Sequence, residues 1–292
     1  MQSLAAERTS GIEIILVDGD ETSATRDIAR SYSDRLRLRV FERRELLSWH
    51  AKTNFGIAVA ESDHICWLGV DDVWLPGRAA AARAWIDADP MTPLHFAASE
   101  IIGCDGRKLG VWRCPLPEGR ALPPALVTER LLVQNFVAAP APVFRKDAWL
   151  SCGGLDESLW YTADWDMWLK LAACVPTRYH PEVTVGFRIH TGSLTAKGSR
   201  DNVEFVHQMR KVLDRHLPRL EGGAKGTERA ARASIAVNSA LASAAAGNYR
   251  GLPRAAAQVA LLGPSGIRRY FRDSRIVERL LPRVRAKFSR SL

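Results

Sequence analysis

The sequence predicts an α/β fold in which helices cover both faces of a mostly parallel sheet. The first observation is that strand-like and helix-like segments alternate regularly over the first ninety residues, a pattern typical of doubly wound sheets. The second is that two of the strand-like runs end at acidic residues, Asp18 and Asp71. The third is that 292 residues with 47% hydrophobic content are enough to bury a substantial core.

The N-terminal elements follow one another in a regular order. Strands are predicted where β-branched and apolar residues run together or alternate, and helices where Ser or Thr precedes an apolar-periodic segment. The predicted strands span residues 12–18, 36–42 and 64–70, and the predicted helices span 22–33, 52–62 and 77–89. The third helix ends at Asp89 because Pro90 disfavours helical backbone in the residue before it.

Beyond residue 90 the alternation gives way to a hairpin and longer elements. Asp105-Gly106 is a hairpin turn signal between two strand-like runs. Further extended segments and helices follow; the extended segments span 136–146 and 177–190, and the helices lie around 125–134, 164–175 and 201–217.

Charge divides the chain into two parts. The net charge is +9, but residues 219–292 carry 15 Lys and Arg against 4 Asp and Glu, so the preceding residues are nearly neutral. We therefore expect a domain at 1–218 and a basic, Ala-rich helical tail at 219–292. No apolar run is long enough to span a bilayer, and the N-terminus has no secretory h-region. Five cysteines without CxxC spacing indicate reduced thiols and a cytoplasmic protein.

Two adjacent carboxylates, Asp71 and Asp72, follow the third predicted strand. Ligands of open α/β sheets bind beyond the carboxyl ends of strands, where Asp18 also lies. Hard cations such as Mg²⁺ use one or two carboxylates together with substrate phosphates. The alternative is that the pair only caps and begins a turn before Pro76.

Two further groups carry polar residues of catalytic type. Asp164 and Asp166 lie about 200° apart on a helix, so they cannot serve one site. The helix dipole favours an ionised Asp164, which would make it a base; the alternative, favoured for this residue taken alone, is that Asp164 only caps the helix. Arg188 and His190 alternate onto one strand face and suit a diphosphate or a metal, and the alternative is an ordinary surface strand.

Taken in order, these segments resemble family 2 glycosyltransferases of the GT-A fold. The resemblance covers roughly residues 12 to 215 and rests on five motifs, "EIILVDGDETSAT", "TNFGIAVAESDHICWLGVDDVWLPGR", "VFRKDAWLSCGGLDE", "TADWDMWLKLA" and "FRIHTGSLT". It implies a Rossmann-like nucleotide-diphospho-sugar transferase domain with a helical C-terminal extension. The implied activity is inverting transfer of a sugar from a nucleotide-diphosphate sugar to a saccharide or lipid-linked acceptor, in cell-surface polysaccharide or glycolipid assembly.

The resemblance also implies roles for individual residues. Asp18 would contact the nucleoside base, Asp71 the ribose, and Asp72 a divalent metal, Mn²⁺ or Mg²⁺. Asp164 would take the proton of the acceptor hydroxyl, and Arg188 with His190 would complete the nucleotide-sugar site.

Three departures from the family pattern qualify these expectations. Gly69 stands where the family often has another Asp, and Ala163 replaces the Glu before the base. The third is that the usual first strand and most of the first helix are missing before residue 12. From this we expect either a start site assigned too late or a truncated relative.

The tail and two rival functions complete the sequence-based expectations. Apolar residues and arginines alternate over 264–288, which suits an interfacial segment on an anionic inner membrane surface, or else a solvated helical hairpin interrupted at Pro282. Nucleic acid is disfavoured because no binding motif accompanies the charge. One rival is a non-catalytic nucleotide-sugar-binding or scaffold relative. The other rival is a nucleotidyltransferase. That class should show a Gly-rich phosphate loop near its start, and this sequence has none.

Overall fold

The computed structural model describes residues 1–7, 9–190, 192–193, 202–220 and 224–288. Strands and helices alternate through the N-terminal third as the sequence predicts, with boundaries shifted by a few residues. In order they are α1 (Gln2–Ala5), β1 (Ile14–Asp18), α2 (Ala24–Arg30), β2 (Leu38–Glu42), α3 (Trp49–Val59), β3 (His64–Ile65), β4 (Val73–Trp74) and α4 (Arg78–Ala88). The predicted strand at 64–70 is therefore paired only at its first two residues.

The central part of the chain contains the predicted hairpin and a helix bearing the candidate base. Its elements are β5 (Leu94–Ile102), β6 (Lys108–Trp112), β7 (Ala121–Leu122), α5 (Pro124–Val133), β8 (Val143–Arg145), α6 (Lys146–Ser151), α7 (Ala163–Cys174) and β9 (Thr177–Arg188). The C-terminal helices are α8 (Asn202–His216), α9 (Ala224–Ala245), α10 (Leu252–Ala260), α11 (Gly263–Ser274) and α12 (Ile276–Phe288), with a 3₁₀ turn at Leu217–Arg219.

The strands form two sheets in the described residues. β1 and β2 pair in parallel as a two-stranded sheet, and a seven-stranded sheet has the order β3-β8-β5-β9-β4 with β6 on β5 and β7 on β9. In the larger sheet β5 and β9 are parallel, whereas the other ladders are antiparallel. The expectation of a mostly parallel sheet is thus wrong, because the β5–β6 hairpin and the short strands β3, β4, β7 and β8 pair antiparallel with longer neighbours.

An aromatic cluster around Trp168 fills the core beneath the larger sheet. The fully buried Trp168 ring contacts the rings of Phe96, Phe144 and Trp149, with centroids 6.0 to 6.2 Å apart. Burial of such a side chain contributes roughly 2–3 kcal/mol. Since Trp168 lies on α7, this packing fixes the helix whose first turn carries Asp164.

Asp166 anchors α7 to α8 on the opposite side from Asp164. Its buried carboxylate accepts from His216 at 2.8 Å, from Arg215 at 2.9 Å and from Lys170 at 2.8 Å. Although burial alone would raise its pKa, the hydrogen bonds from His216 and Lys170 hold the pKa of Asp166 well below its usual range. Asp164 and Asp166 thus have different surroundings, as their helical spacing predicted.

The basic tail packs along the rest of the protein. α9 lies against α5, and Arg269 of α11 pairs with Glu129 of α5 at 2.6 Å. The predicted interruption at Pro282 is wrong: Pro282 lies inside α12, and the chain bends instead at Arg275, whose φ is +47°. Pro282 packs on Gly110, where a Cβ would lie 2.7 Å from its Cγ. The division at residue 218 stays a prediction.

Candidate active site

A cavity of about 1330 Å³ separates β1 and α3 from residues 64–72 and the N-terminal end of α7. It is larger than the usual 300–1,000 Å³ of small-molecule pockets. Asp71 and Asp72 line it from the turn after β3, and Asp164 lines it from the first turn of α7. The structure therefore brings together three of the carboxylates that the sequence singled out.

The Asp71-Asp72 pair is positioned by a turn and by the end of β9. The Asp72 N–H donates to the Gly69 carbonyl at 3.1 Å, and the Arg188 N–H donates to Asp72 Oδ1 at 2.9 Å. Burial raises the pKa of Asp72 to about 7, and the neighbouring Asp71 charge acts in the same direction. Asp71 is exposed and contacts His190 Nε2 at 3.1 Å. The turn thus presents one exposed carboxylate, Asp71, and one whose pKa is raised by burial, Asp72.

Arg188 and His190 hold this turn in place. The guanidinium of Arg188 donates to the carbonyls of Asp71 at 2.7 Å and Gly103 at 2.7 Å. Neither residue is part of the cavity lining. As placed, they position the carboxylates. Ser193, in the same motif, is described, whereas Thr195 lies outside the described residues.

The acidic turn offers a partial site for a divalent cation. Asp72 Oδ2 faces Gly69, where a Cβ would lie 3.0 Å away, so the missing side chain leaves room beside this oxygen. Two carboxylates suit Mg²⁺ or Mn²⁺ when a diphosphate and water supply the other ligands. Within the described part of the chain, no group of three or more His, Cys, Asp or Glu side chains could hold a metal ion. Asp71 and Asp72 could thus hold a cation only together with ligands from a bound nucleotide and water.

Asp164 lines the same cavity from the first turn of α7. Its Oδ1 accepts from the Trp165 N–H at 2.7 Å and its Oδ2 from Asn135 Nδ2 at 3.1 Å. Burial raises the pKa of Asp164 to about 6, while these hydrogen bonds favour the ionised form. The carboxylate is thus mostly ionised at neutral pH and more basic than an ordinary aspartate, which suits proton abstraction.

Asp18, like Arg188 and His190, is a predicted site residue that does not line the cavity. It ends β1 and is buried, and its Oδ2 receives Arg26 Nη1 at 2.6 Å. Its Oδ1 accepts from the Asp20 N–H at 3.1 Å. The carboxylate is therefore engaged by its own α2 segment rather than open to a ligand.

Several cavity residues were missed by sequence reasoning. Asn135 follows α5, Tyr161 precedes α7, Asn238 lies on α9, and Arg279 and Arg283 lie on α12. Asn135 and Tyr161 had no motif to mark them. The spacing of four residues between Arg279 and Arg283 does predict that they share one face of a helix. Nothing in the sequence indicates that this face lines the cavity.

Comparison with known proteins agrees with this geometry. Residues 1–95 match the family described as Glycosyl transferase family 2. An uncharacterized glycosyltransferase of Rickettsia felis is 24% identical over 72% of this chain and 36% of its own length, and one of Rickettsia prowazekii is 26% identical over 67% and 60%. The chain thus spans between about a third and three-fifths of these relatives.

Solved structures show the same fold at low sequence identity. Staphylococcus aureus TarS 1–349, solved with UDP, aligns with a TM-score of 0.54 and 16% identity over 79% of this chain and 64% of that one. The mannosyltransferase PcManGT from Pyrobaculum calidifontis, solved with GDP-Man and Mn²⁺, aligns with a TM-score of 0.52 and 17% identity over 99% and 82%. The fold is GT-A, as the motifs predicted, and residues 1–95 are similar to family 2 glycosyltransferases.

Proposed function

We propose that the protein transfers a sugar, with inversion, from a nucleotide-diphosphate sugar to a hydroxyl acceptor. The observation that carries the proposal is that Asp72, beside Asp71, and Asp164 line one cavity. Asp71 and Asp72 offer carboxylates for a cation and a nucleotide, and Asp164 offers a base. TarS with UDP and PcManGT with GDP-Man and Mn²⁺ support a nucleotide-bound donor and a divalent metal.

The reaction proposed for these residues is a single displacement. The acceptor oxygen bonds to the anomeric carbon as its proton passes to a carboxylate oxygen of Asp164, and the bond from that carbon to the diphosphate oxygen breaks with its electron pair. Asn135 holds Asp164 in place through the 3.1 Å hydrogen bond. Asp72, with Asp71, would hold the cation, which when bound neutralises charge developing on the diphosphate.

The basic tail suggests where in the cell the acceptor would be found. We propose a saccharide or lipid-linked acceptor in cell-surface polysaccharide or glycolipid assembly, with the tail lying on an anionic membrane surface. Phe271, Val277, Leu280 and Leu281 are exposed on α11 and α12 beside basic residues, which supports interfacial binding. Tyr270, in the same segment, is buried. Among the described residues, no helix is sufficiently long and apolar to traverse a bilayer.

Calorimetric titration with UDP, GDP and dTDP, each with and without Mn²⁺, tests the nucleotide part. Metal-dependent binding of one nucleotide is expected. Asp72→Ala should abolish the metal dependence, whereas Asp164→Asn should bind the nucleotide as the unmodified chain does. Equal binding by Asp72→Ala with Mn²⁺ would contradict the assignment of the cation site.

A non-catalytic nucleotide-sugar-binding or scaffold protein is the second candidate. It is favoured by two observations: Asp18 is engaged by Arg26, and the Arg188 guanidinium is engaged by backbone carbonyls. Two groups predicted to contact the nucleotide sugar are thus already occupied. Nucleotide binding without release of nucleoside diphosphate from any UDP-, GDP- or dTDP-sugar, in the presence of Mn²⁺ and a lipid extract, would favour this second function.

A further inference from the structure

Two arginines of α12, Arg279 and Arg283, face the cavity that contains Asp164. They lie four residues apart and therefore on one face of the helix. Nη1 of Arg283 donates to the backbone carbonyl of Arg279 at 2.5 Å, which brings the Arg283 guanidinium next to the Arg279 backbone. Two like charges in a partly buried wall repel one another, so the arrangement is unfavourable unless an anion accompanies it.

The guanidinium of Arg279 is left with unused hydrogen-bonding capacity. Its Nη2 donates to Asn238 Oδ1 at 3.2 Å, whereas its Nε and Nη1 are buried and have no acceptor within the described chain. Burial and the Arg283 charge lower the pKa of Arg279 to about 10, and burial lowers that of Arg283 as well. Arg279 thus stays cationic at neutral pH, and the two unpaired donors of this buried cation cost free energy.

Other arginines of the tail are neutralised by acidic partners. Arg269 pairs with Glu129 at 2.6 Å, Arg272 with Asp273 at 2.6 Å and Arg275 with Glu278 at 3.2 Å. In contrast, neither cavity-facing arginine has a carboxylate within 4 Å among residues that the structure describes. Arg279 and Arg283 therefore bring positive charge without a carboxylate partner to the face of α12 that meets the cavity.

A chain of hydrogen bonds places these arginines on the Asp164 side of the cavity. Arg279 donates to Asn238, whose Nδ2 donates to Gln134 Oε1 at 2.8 Å. Gln134 Nε2 donates to the Asn135 carbonyl at 3.3 Å, and Asn135 Nδ2 donates to Asp164 at 3.1 Å. The network joins α12, α9, the end of α5 and α7 into one wall.

Tyr161 shows the same placement. Burial raises the pKa of Tyr161 to about 12, the Arg279 and Arg283 charges lower it, and the Asp164 charge raises it. The hydroxyl of Tyr161 therefore lies within electrostatic reach of both arginines and of Asp164. The pKa of Asp72 responds instead to burial and to groups of its own turn and the end of β9.

We propose that Arg279 and Arg283 form an anion subsite that receives a phosphoryl or carboxylate group of the acceptor, while Asp164 takes the acceptor's proton. Guanidinium groups suit such anions because their N–H fork matches two oxygens at once. The anion site stands on geometry alone, whereas its assignment to the acceptor rests on the proposed function. The acceptor class is therefore an anionic one, such as a sugar phosphate, a lipid-linked phosphate or an acidic saccharide.

Inorganic phosphate is the probe for this subsite. It is titrated into the full chain without metal, and again into the chain saturated with UDP and Mn²⁺. The variants are Arg279→Gln, Arg283→Gln and the double variant, with Arg254→Gln, an exposed tail arginine, as the matched control for charge. We expect phosphate to bind the double variant at least tenfold more weakly, and Arg254→Gln and all UDP affinities to be unchanged.

The remaining outcomes separate the two assignments. Phosphate binding that is equal in all variants would overturn the subsite. If bound UDP blocks phosphate and the double variant loses UDP affinity, the arginines serve the nucleotide diphosphate and the acceptor assignment is overturned. Arginine-dependent phosphate binding by a chain that binds no nucleotide would keep the anion site and overturn the proposed function.

Folding controls keep these outcomes interpretable. Thermal unfolding of each variant checks its integrity, and the double glutamine variant is expected to unfold no earlier than the unmodified chain, because the charges it loses are uncompensated. Arg279→Lys with Arg283→Lys retains both charges but lacks the bidentate N–H fork, so this variant should bind phosphate more weakly than the unmodified chain does. If the glutamine variant fails to fold, the lysine variant decides the question. Loss of phosphate binding by the folded lysine variant, with UDP affinity intact, would support bidentate recognition. Phosphate binding as strong as that of the unmodified chain would reduce the subsite to an unspecific positive charge and overturn it.

Discussion

Replacement of Asp164 by asparagine tests the base and the electrostatics of its site together. The pKa of Asp164 lies at about 6 rather than 3.8, so the folded chain holds this proton more tightly than the unfolded chain does. Stability contributed by a raised carboxyl pKa is present at low pH and is lost as the pH rises from the unfolded value through the folded one. At neutral pH the ionised side chain therefore costs about 3 kcal/mol, at about 1.4 kcal/mol for each pH unit.

Asparagine removes this charge but also loses a hydrogen bond. The Asn135 amide donates to Asp164 Oδ2 at 3.1 Å, and an asparagine amide nitrogen at that position could not accept it. That loss costs about 1 kcal/mol. We therefore expect Asp164→Asn to raise the free energy of unfolding by about 2 kcal/mol near pH 7.5, and the gain to fall to about zero near pH 4.5, where the folded aspartate is already protonated.

Urea denaturation at both pH values measures the difference directly. The same variant should keep its nucleotide affinity and lose transfer by roughly 10²–10⁴-fold, the usual contribution of a positioned base. In the unmodified chain, transfer should decline as the pH falls below about 6, because the base becomes protonated. A stability difference that does not change with pH would refute the electrostatic reasoning, and normal transfer by Asp164→Asn would refute the base.

Two further predictions address the opposite side of α7 and the acidic turn. Asp166→Asn should lower the free energy of unfolding by about 3–5 kcal/mol at neutral pH, because it leaves buried His216 and its cationic neighbours without their anion. In denaturant titrations this loss of stability should shrink as the pH falls, because Asp166 becomes protonated in the unmodified chain. A loss that does not change with pH would argue against an ionic origin. Gly69→Ala should weaken Mn²⁺-dependent nucleotide binding about tenfold or more with little change in thermal stability, since its Cβ would lie 3.0 Å from Asp72 Oδ2; unchanged calorimetric affinity would show that the space beside this oxygen is not used.

The sequence predicted best those elements whose pattern is local. β1, β2, α4 and α7 lie close to where β-branched runs and apolar periodicity placed them, and the Asp105-Gly106 turn joins β5 to β6 as expected. The separation of Asp164 from Asp166 followed from helical geometry alone and is confirmed.

What the sequence could not supply was the identity of distant partners. Arg26 is only eight residues from Asp18, yet no pattern distinguishes an arginine that pairs with a strand-end carboxylate from one that remains in solvent. Pro282 was expected to break a helix, because the packing against Gly110 that accommodates it lies 172 residues away in sequence. The approach of Arg279 to the cavity likewise depends on the docking of four helices.

The division into two sheets has a consequence for how a nucleotide would bind. Asp18 belongs to the β1–β2 ribbon and Asp72 to a turn of the seven-stranded sheet, and in the described residues no ladder joins the two. A nucleotide that contacts both Asp18 and Asp72 would fix the distance between the two sheets. Its observed affinity would therefore be weaker than its contacts alone predict, because fixing this distance costs free energy. Calorimetry would then register a more negative heat-capacity change than the ligand's own contact area explains, because the two sheets would bury surface against each other as well.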